Sequence, residues 1–416
     1  MESTACLCAF FPESYSSSAE VPCGYKAGCV TSMEPETQNG GPSVLKTVIW
    51  LVVLVLIVGG LVLWGKGGEK DATSKEPIKI GFIGPLTGDA SSIGTVNRAA
   101  VELAVGEVNA AGGIGGRTLE VIYEDGKCNA IAAVNAAQKL INVDKVPLII
   151  GGLCSTETAA FAPQAMQSKV IVFSYGSSAP NLSQTGKYFF RSYPSDAFQG
   201  KFGAEYAYNK LGAKKVAVVY HISDWGTGIK NVFVENFKAL GGTVLAEEGA
   251  PQDARDYRTI LTKVKGLNAD LIYFPAYPDG TVAALGQAKD LGVKTRMLGG
   301  DVWDDPKIHT SVSGLGELLY SVPFSPVSDE FKAKLKAKTG SDAAPVGTTN
   351  AYDNVKIVSV VLAKVGISDP DKIADELRAT KYDGVSGHIS FDQNGDVETA
   401  NYIVKKIEKG SATEVK

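Results

Sequence analysis

The sequence predicts an α/β protein of two sheet-and-helix lobes preceded by one transmembrane helix. Three observations carry this prediction. From Pro77 onward, short apolar runs alternate with stretches of helical spacing. Many of the 46 glycines follow directly after the apolar runs, as they do at repeated strand-to-helix turns. Residues 47–65 form a continuous apolar segment without charge.

The composition narrows the class of protein. The 416 residues are 44% hydrophobic and 21% charged, with a formal net charge of -4. This balance is typical of a globular protein with two or three domains. It does not indicate nucleic-acid binding, which usually needs a clustered basic face. The sequence contains only three histidines, too few to favour His-based catalysis or a His metal site. We therefore expect neither a metal nor a cofactor.

Residues 1–46 are rich in Ser, Pro, Gly and Glu and lack apolar periodicity, which predicts a disordered tail. Four cysteines in this tail have C-x-C and C-x5-C spacings that miss the usual zinc pattern: Cys6, Cys8, Cys23 and Cys29. Zinc binding and free thiols are the two alternatives for them. Met33 is an alternative start site, which would shorten the tail.

Residues 47–65, TVIWLVVLVLIVGGLVLWG, would span roughly 28 Å as a helix, close to the thickness of the hydrocarbon core. Trp50 and Trp64 lie near its ends, where aromatic residues anchor membrane helices. A cleaved signal peptide would end in small residues, which this segment does not offer. We therefore predict an uncleaved single-pass anchor in the cell membrane. A polar linker follows over 66–76, and the downstream domain lies on the extracytoplasmic side.

The predicted domain, residues 77–416, contains two series of strands and helices. In the first, strands at 79–84, 119–125, 146–152 and 170–175 alternate with helices near 96–111, 129–143 and 156–168. In the second, strands at 215–220, 243–249, 270–275 and 296–300 alternate with helices near 198–211, 225–240, 255–266 and 279–291. The remainder is predicted to hold helices near 328–338, 349–366 and 371–379 and a closing hairpin around Asn394-Gly395. Each series has the size of a domain, so two open sheets would face each other across a cleft.

Two motifs resemble ligand loops but favour turns. Gly112 to Gly116 follows a helix and precedes a strand, the reverse of the order in a dinucleotide-binding loop. Asp392, Asn394 and Asp396 have the first spacings of a calcium loop, but its glycine and its final Glu are absent. Because the known catalytic motifs are also absent, we expect that the protein is not an enzyme.

Two strands of the first series end in loops rich in glycine and hydroxyl groups, Gly151 to Thr156 and Gly176 to Ser178. In an open α/β sheet, ligands bind outside the carboxyl ends of the strands. Ser155 and Thr156 would lie at a helix N-terminus, where free N–H groups favour a carboxylate or a phosphate. These loops are the predicted centre of a binding site.

Cys128 and Cys154 each closely follow a predicted parallel strand, at the same edge of the first sheet. With one strand between them, the strand ends are ~10 Å apart, so the loops must lean inward to reach a disulfide Cα separation of ~5.5 Å. An oxidising extracytoplasmic space permits the bond. Two buried thiols that merely fill space are the alternative.

Nine pieces of sequence run in order along the domain: IKIGFIGPLTGDASSIG, ELAVGEVNAAGGIGGRTLEVIYEDGKC, AAQKLI, GGLCSTET, VFSYGSSAPNLS, HISDWGTG, DLIYFPAY, MLGGD and AYDNV. Together they resemble the type I periplasmic binding proteins, and within them the leucine/isoleucine/valine-binding proteins of amino-acid ABC importers. The resemblance implies two doubly wound parallel-sheet lobes joined by a three-strand hinge, with crossings near Ser195, Val322 and Val385. It assigns about 77–195 and 323–385 to one lobe, and about 196–322 and 386–409 to the other.

The resemblance also implies which loops of the first lobe bind ligand. Ser155 matches a hydroxyl that holds the ligand carboxylate, directly after the second cysteine of a disulfide. The next loop would contribute contacts from Gly176, Ser177 and Ser178, and Thr156 belongs to the same predicted set. The disulfide would join Cys128 and Cys154.

The remaining implied contacts surround the ligand's ammonium and side chain. Trp225 and Tyr277 match aromatic residues of the second lobe that cover the ligand, although relatives more often have Tyr at the first position. Ile93 stands where some relatives place an aromatic residue. Asp301 matches the acidic residue that pairs with the ligand ammonium, where leucine-binding members have Glu. A helix N-cap is the simpler interpretation of Asp301, and core packing that of Trp225.

Taken together, these observations and the resemblance predict a membrane-anchored solute receptor. It would close on a small, apolar amino acid and deliver it to ABC permease and ATPase subunits. A receptor for amides, urea or aromatic acids is the alternative within binding proteins. The ectodomain of a signalling receptor is the alternative from another class.

Overall fold

The computed structural model describes residues 76–311 and 314–416. The predicted tail (1–46), the predicted anchor (47–65) and all of the linker except Glu76 lie outside the described residues. Within those two ranges, no helix combines the length and the apolar character needed to cross a membrane.

The first sheet has five parallel strands in the order β2-β1-β3-β4-β5. They are β1 (Ile78–Gly84), β2 (Leu119–Asp125), β3 (Leu148–Gly151), β4 (Ile171–Ser174) and β5 (Phe189–Arg191). The connecting helices are α1 (Ser91–Ala110), α2 (Ala130–Gln138, followed by a π-helical turn over Lys139–Val143) and α3 (Ser155–Gln167). The four strands predicted for this series are present, and β5 is an additional edge strand.

The second sheet has seven strands in the order β14-β13-β10-β9-β8-β6-β7. Its parallel part consists of β6 (Lys215–Ile222), β7 (Thr243–Pro251), β8 (Leu271–Phe274), β9 (Arg296–Gly299) and β10 (Leu318–Pro323). The accompanying helices are α4 (Asp196–Glu205), α5 (Asp224–Ala239), α6 (Arg258–Gly266), α7 (Pro278–Asp290) and α8 (Pro306–Ser311). The predicted α/β class and parallel strands are confirmed, but this sheet also carries an antiparallel edge.

The C-terminal part supplies that edge and further helices. The helices are α9 (Asp329–Thr339), α10 (Thr348–Val365) and α11 (Pro370–Arg378), and the strands are β11 (Lys381–Gly384), β12 (Gly387–Ser390), β13 (Tyr402–Glu408) and β14 (Ser411–Glu414). Strand β13 pairs antiparallel with β10, and β14 pairs antiparallel with β13.

The predicted pairing of the closing hairpin is wrong. Strand β12 pairs with β11 across a two-residue turn at Val385 and Ser386, whose N–H groups donate to the Asp353 carboxylate at 3.2 and 2.8 Å. The tight turn at Asn394-Gly395 is present, and it is closed by an antiparallel bridge between Phe391 and Val397 and by hydrogen bonds to Asp392.

This pairing also moves the third crossing between the sheets. Val385, where the crossing was expected, lies in the β11–β12 turn. Further along the chain, Asp396 still bridges to Arg191 of β5, beside the first sheet. The chain enters the second sheet only at Tyr402. The other two crossings follow β5 and β10.

Both sheets are covered on both faces, which explains why their strands read as continuous apolar runs. One apolar cluster lies between the first sheet and helices α2 and α3, and another between the second sheet and helices α6 and α7. A third cluster includes the opposite faces of both sheets, with helices α1, α4, α5, α10 and α11. The layers hold the strand ends of the two sheets in fixed positions, on which the candidate site depends.

Candidate functional site

A cavity lies where loops at the carboxyl ends of strands from both sheets meet. It is lined by Ile93, Leu153, Gly176, Ser178, Trp225, Tyr277, Asp301, Val302 and Val346. The empty space among these residues is about 290 Å³, of which about 20 Å³ can hold the centre of a water molecule. Six of the nine predicted ligand-binding residues line this cavity. Ser155, Thr156 and Ser177 are not among the lining residues, and their ligand contacts stay predictions.

Ser155 and Ser177 organise the loops behind the cavity wall. The Ser155 hydroxyl oxygen accepts hydrogen bonds from the N–H groups of Ser178 (3.2 Å) and Ala179 (3.0 Å). With both lone pairs used, its O–H remains available as a donor. The Ser177 hydroxyl lies against the Gly152 carbonyl (3.1 Å) and the Thr158 hydroxyl (2.8 Å), so it connects the two loops of the first lobe.

Thr156 joins the two lobes. Its hydroxyl donates to the Asp224 carboxylate at 2.8 Å, and Asp224 directly precedes the cavity residue Trp225. A second bond of this kind runs from the Ser92 hydroxyl to Asp305 at 2.6 Å. The two lobes are therefore in contact around the cavity, as in a closed cleft.

The second lobe contributes an aromatic wall. The rings of Trp225 and Tyr277 lie 4.9 Å apart and both side chains are buried. His221 fixes the backbone beneath Tyr277, because the Tyr277 N–H donates to His221 Nδ1 at 3.1 Å. Burial lowers the pKa of His221 to about 3, so the ring is neutral and its Nε2–H donates to the Tyr257 hydroxyl at 2.7 Å. Sequence analysis gave His221 no role.

Asp301 is a buried carboxylate at the polar end of the cavity. It accepts a hydrogen bond from the Tyr193 hydroxyl at 2.6 Å and one from the Val302 N–H at 2.9 Å. The N-cap interpretation of Asp301 is wrong, because Asp301 is the first residue of a 3-10 helix (Asp301–Asp304) whose N-cap is Gly300. Burial raises the pKa of Asp301 to about 6, despite these two hydrogen bonds.

A second buried carboxylate, Asp196, was missed by sequence analysis. It is the first residue of α4, and its carboxylate accepts a hydrogen bond at 2.9 Å from the hydroxyl of the cavity residue Ser178. Its other oxygen has no hydrogen-bond partner within the described part of the chain. Burial and the nearby charge of Asp301 raise the pKa of Asp196 well above its ordinary value.

The signals for the missed residues differ. Asp196 follows Ser195 at a helix start and looks like an ordinary first-turn acid, so only its burial reveals it. Leu153 lies inside the predicted loop but carries no polar group. Val346 precedes α10, far along the chain from the other wall residues of the first lobe, and no local pattern points to it.

Cys128 and Cys154 form the predicted disulfide, with a Cα separation of 5.3 Å. As expected, one strand, β1, lies between the strands that precede the two cysteines. The bond ties the loop after β2 to the loop that carries Ser155.

The cavity can bind a small molecule with a cationic end and an apolar end. Two buried carboxylates that hydrogen-bond only neutral groups favour a cation between or beside them. The rest of the wall is apolar and aromatic. Two α/β lobes that meet over such a cavity define a two-lobed ligand-binding protein.

A sequence-family profile of periplasmic binding proteins matches residues 77–412, and the chain belongs to this family. The leucine-, isoleucine-, valine-, threonine- and alanine-binding protein of Pseudomonas aeruginosa is 28% identical over 352 residues, which cover 82% of this chain and 93% of the relative.

Solved structures show the same similarity. The crystal structure of the leucine-binding protein LivK of Thermotoga maritima is 30% identical, with a TM-score of 0.74, and covers 82% of this chain and 98% of its own. A solute-binding protein of an ABC transporter from Rhodopseudomonas palustris, solved with 3,4-dihydroxybenzoic acid, shares the fold with a TM-score of 0.74. It is 24% identical and covers 82% of this chain and 96% of its own.

Proposed function

We propose that this chain is the extracytoplasmic solute-binding protein of an ABC importer, and that it binds a small amino acid with an apolar side chain by closing its two lobes. The buried pair of carboxylates, Asp196 and Asp301, is the observation that carries this proposal. The names of the relatives support the same class of ligand.

An α-amino acid supplies the charges that this cavity lacks. Its ammonium group would donate charge-assisted hydrogen bonds to Asp301 at the polar end of the cavity. In this position the ammonium group would also lie near Asp196. Its carboxylate would accept hydrogen bonds from the Ser155 O–H and from loop N–H groups near the start of α3. Both donors of Ser178 are already used, its hydroxyl on Asp196 and its N–H on Ser155. Ser177 would act by holding these loops, and Thr156 by joining the lobes when they close.

The apolar wall restricts the ligand side chain. Ile93, Leu153, Val302 and Val346 line the apolar part of the cavity, in which only about 20 Å³ can hold the centre of a water molecule, well below the volume of common ligand pockets. Trp225 and Tyr277 would cover the side chain from the second lobe. A branched aliphatic side chain matches the apolar part of this wall, whereas the buried Tyr277 hydroxyl, which has no hydrogen-bond partner among the described residues, would stay unpaired beside it.

An aromatic acid is the alternative ligand, because the Rhodopseudomonas palustris structure was solved with 3,4-dihydroxybenzoic acid. Such a ligand carries a carboxylate and no cation. The carboxylate of this ligand would lie beside Asp196 and Asp301. Unless both side chains stayed protonated, their negative charges would repel the ligand. The charges of the site therefore favour an amino acid.

Delivery to permease and ATPase subunits follows from the proposed class. The predicted anchor over 47–65 would tether the domain to the outer side of the cell membrane. The family is one of binding proteins, in agreement with the expectation that the chain is not an enzyme.

A thermal-shift screen tests the proposal. The compounds are the twenty amino acids, simple amides, urea and hydroxybenzoic acids. We expect aliphatic amino acids to raise the melting temperature most, because they should bind most tightly. A ligand at 100 times its Kd adds roughly 2.7 kcal/mol to the free energy of unfolding. Stabilisation by hydroxybenzoic acids alone would contradict the proposal.

A further inference from the structure

Glu157 is a buried carboxylate to which neither the sequence motifs nor the proposed function assigns a role. It is the third residue of α3, two positions after Ser155, and its side chain is fully buried. One carboxylate oxygen accepts the Cys128 N–H at 2.9 Å, and the other accepts the Cys154 N–H at 3.1 Å. The same side chain therefore holds the backbone of both loops that the disulfide joins.

The surroundings of Glu157 leave room for a carboxylate and for little else. A Cβ atom on Gly126 would lie 2.3 Å from one Glu157 oxygen, and one on Gly152 would lie 2.8 Å from the other. Two consecutive non-glycine residues of the first loop, Lys127 and Cys128, have left-handed φ angles of 55° and 54°. That conformation is unfavourable for residues with a side chain, and the Cys128 N–H bond to Glu157 helps to hold it.

We infer that Glu157 is a positioning residue for the candidate ligand site. The inference rests on the proposed function. By bonding both loops, Glu157 fixes the start of α3 and hence the Ser155 hydroxyl. Ser155 in turn holds the N–H groups of Ser178 and Ala179, and Ser178 lines the cavity. A change at Glu157 reaches the ligand through this chain of contacts.

The protonation state of Glu157 controls the number of hydrogen bonds it can accept. A protonated carboxyl presents an O–H donor toward a backbone N–H donor, and one of the two loop contacts is lost. Burial raises the pKa of Glu157 to about 7. The titratable groups that face it are Asp125 at the end of β2 and the hydroxyls of Tyr175 and Tyr277, which are neutral at this pH. We therefore expect ligand affinity to fall as the pH drops through this range.

The first arm of the test compares wild type with Glu157→Gln, and with Glu120→Gln at an exposed position of β2 as the matched control. Calorimetry across about pH 5.5 to 8.5 uses the amino acid that stabilises wild type most in the screen. We expect Glu157→Gln to lower the affinity about tenfold at the alkaline end. The part of the pH dependence near pH 7 should disappear, the part near pH 6 that Asp301 causes should remain, and the unreduced mass should still show the disulfide. Glu120→Gln should match wild type. An unchanged affinity and pH profile in Glu157→Gln, even with a lower melting temperature, would overturn the inference.

The second arm needs no variant and remains decisive if Glu157→Gln does not fold. The amide NMR signals of Cys128 and Cys154 in the unliganded wild type should titrate with one shared midpoint, and ligand affinity should change over the same pH range. Amide signals without a shared titration would overturn this inference alone. Failure of wild type to bind any amino acid would instead overturn the proposed function.

Discussion

Two groups of buried carboxylates, Asp396 and the Asp301–Asp196 pair, differ in whether a cationic side chain hydrogen-bonds to them. Asp396 accepts hydrogen bonds from two nitrogens of the fully buried Arg191 guanidinium, at 2.6 and 2.8 Å, and a third from the Ser183 hydroxyl at 2.6 Å. Among the residues that the structure describes, Asp301 and Asp196 accept hydrogen bonds only from neutral hydroxyl and backbone groups.

The difference separates a structural site from a binding site. The Arg191–Asp396 pair is completed by the chain itself and fastens the segment before the third crossing to β5. Asp301 lines the cavity and Asp196 lies behind it, bonded to the lining residue Ser178. Neither carboxylate has an ion-pair partner among the described residues, although the Arg191 charge acts on Asp196, and an unneutralised buried charge costs stability. A protein that retains such a pair gains from it only when a ligand supplies the positive charge.

The largest expected effect concerns the completed pair. Asp396→Asn leaves the Arg191 guanidinium buried without its charge partner, so we expect the free energy of unfolding to fall by ~3–5 kcal/mol. Urea denaturation measures this change. Asp375→Asn, which alters an exposed ion pair with Lys187, is the control and should change stability by less than ~1 kcal/mol. Equal effects of the two variants would show that Arg191 and Asp396 form no special structural site.

The next effect concerns the incomplete pair. Asp301→Asn keeps the shape of the side chain and removes the charge, so the ligand ammonium loses its partner. We expect affinity to fall by ~2–5 kcal/mol, roughly thirty- to several-thousand-fold. Calorimetry with the best amino acid from the screen measures it, and Asp290→Asn at the exposed end of α7 is the control. If Asp301→Asn binds as tightly as wild type, Asp301 serves only to hold the Tyr193 hydroxyl and the Val302 N–H.

A smaller loss is expected at the carboxylate end of the ligand. Ser155→Ala removes one hydrogen-bond donor to a charged group and should weaken binding by ~1.5–3 kcal/mol. Ser168→Ala, just after the far end of α3, should leave the affinity unchanged. Isothermal calorimetry on both variants checks the prediction, and equal affinities would remove Ser155 from the site.

The smallest effect is on the unliganded protein. Because the pKa of Asp301 rises from 3.8 to about 6 on folding, its contribution to stability is fully present below pH 3.8 and is lost as the pH rises through 6. Asp301→Asn lacks this loss. Urea denaturation should therefore show that the variant gains on the order of 1–2 kcal/mol relative to wild type between about pH 5 and pH 7.5. A constant difference between the two proteins would contradict the assigned charge.

The sequence was sufficient for most elements because apolar runs and turn residues are local signals. Strands β1 to β4 and β6 to β9 lie at the predicted positions. No strand was predicted at Leu318–Pro323, where β10 pairs parallel with β9 and antiparallel with β13, which lies about eighty residues further along the chain. The hairpin error has a local origin, since β12 pairs with the adjacent β11 across the two-residue turn at Val385 and Ser386.

The candidate site was predictable where the family resemblance assigns a role to a residue. Ser178, Trp225, Tyr277 and Asp301 follow from the family resemblance and line the cavity. Asp196 could not be found in this way, because an acid in the first turn of a helix is common and its function depends on burial beside Asp301. Its unpartnered oxygen becomes visible only when the two lobes are folded together.

The central claim is that the ligand ammonium replaces protons on the buried Asp301–Asp196 pair. Calorimetric titrations in buffers of different ionisation enthalpy count the protons released on binding. Near pH 6, where Asp301 is about half protonated in the unliganded protein, wild type should release a measurable fraction of a proton per ligand, and Asp301→Asn should release less. If wild type releases no proton between about pH 5 and pH 7, the buried carboxylates do not bind the ammonium and the account is wrong.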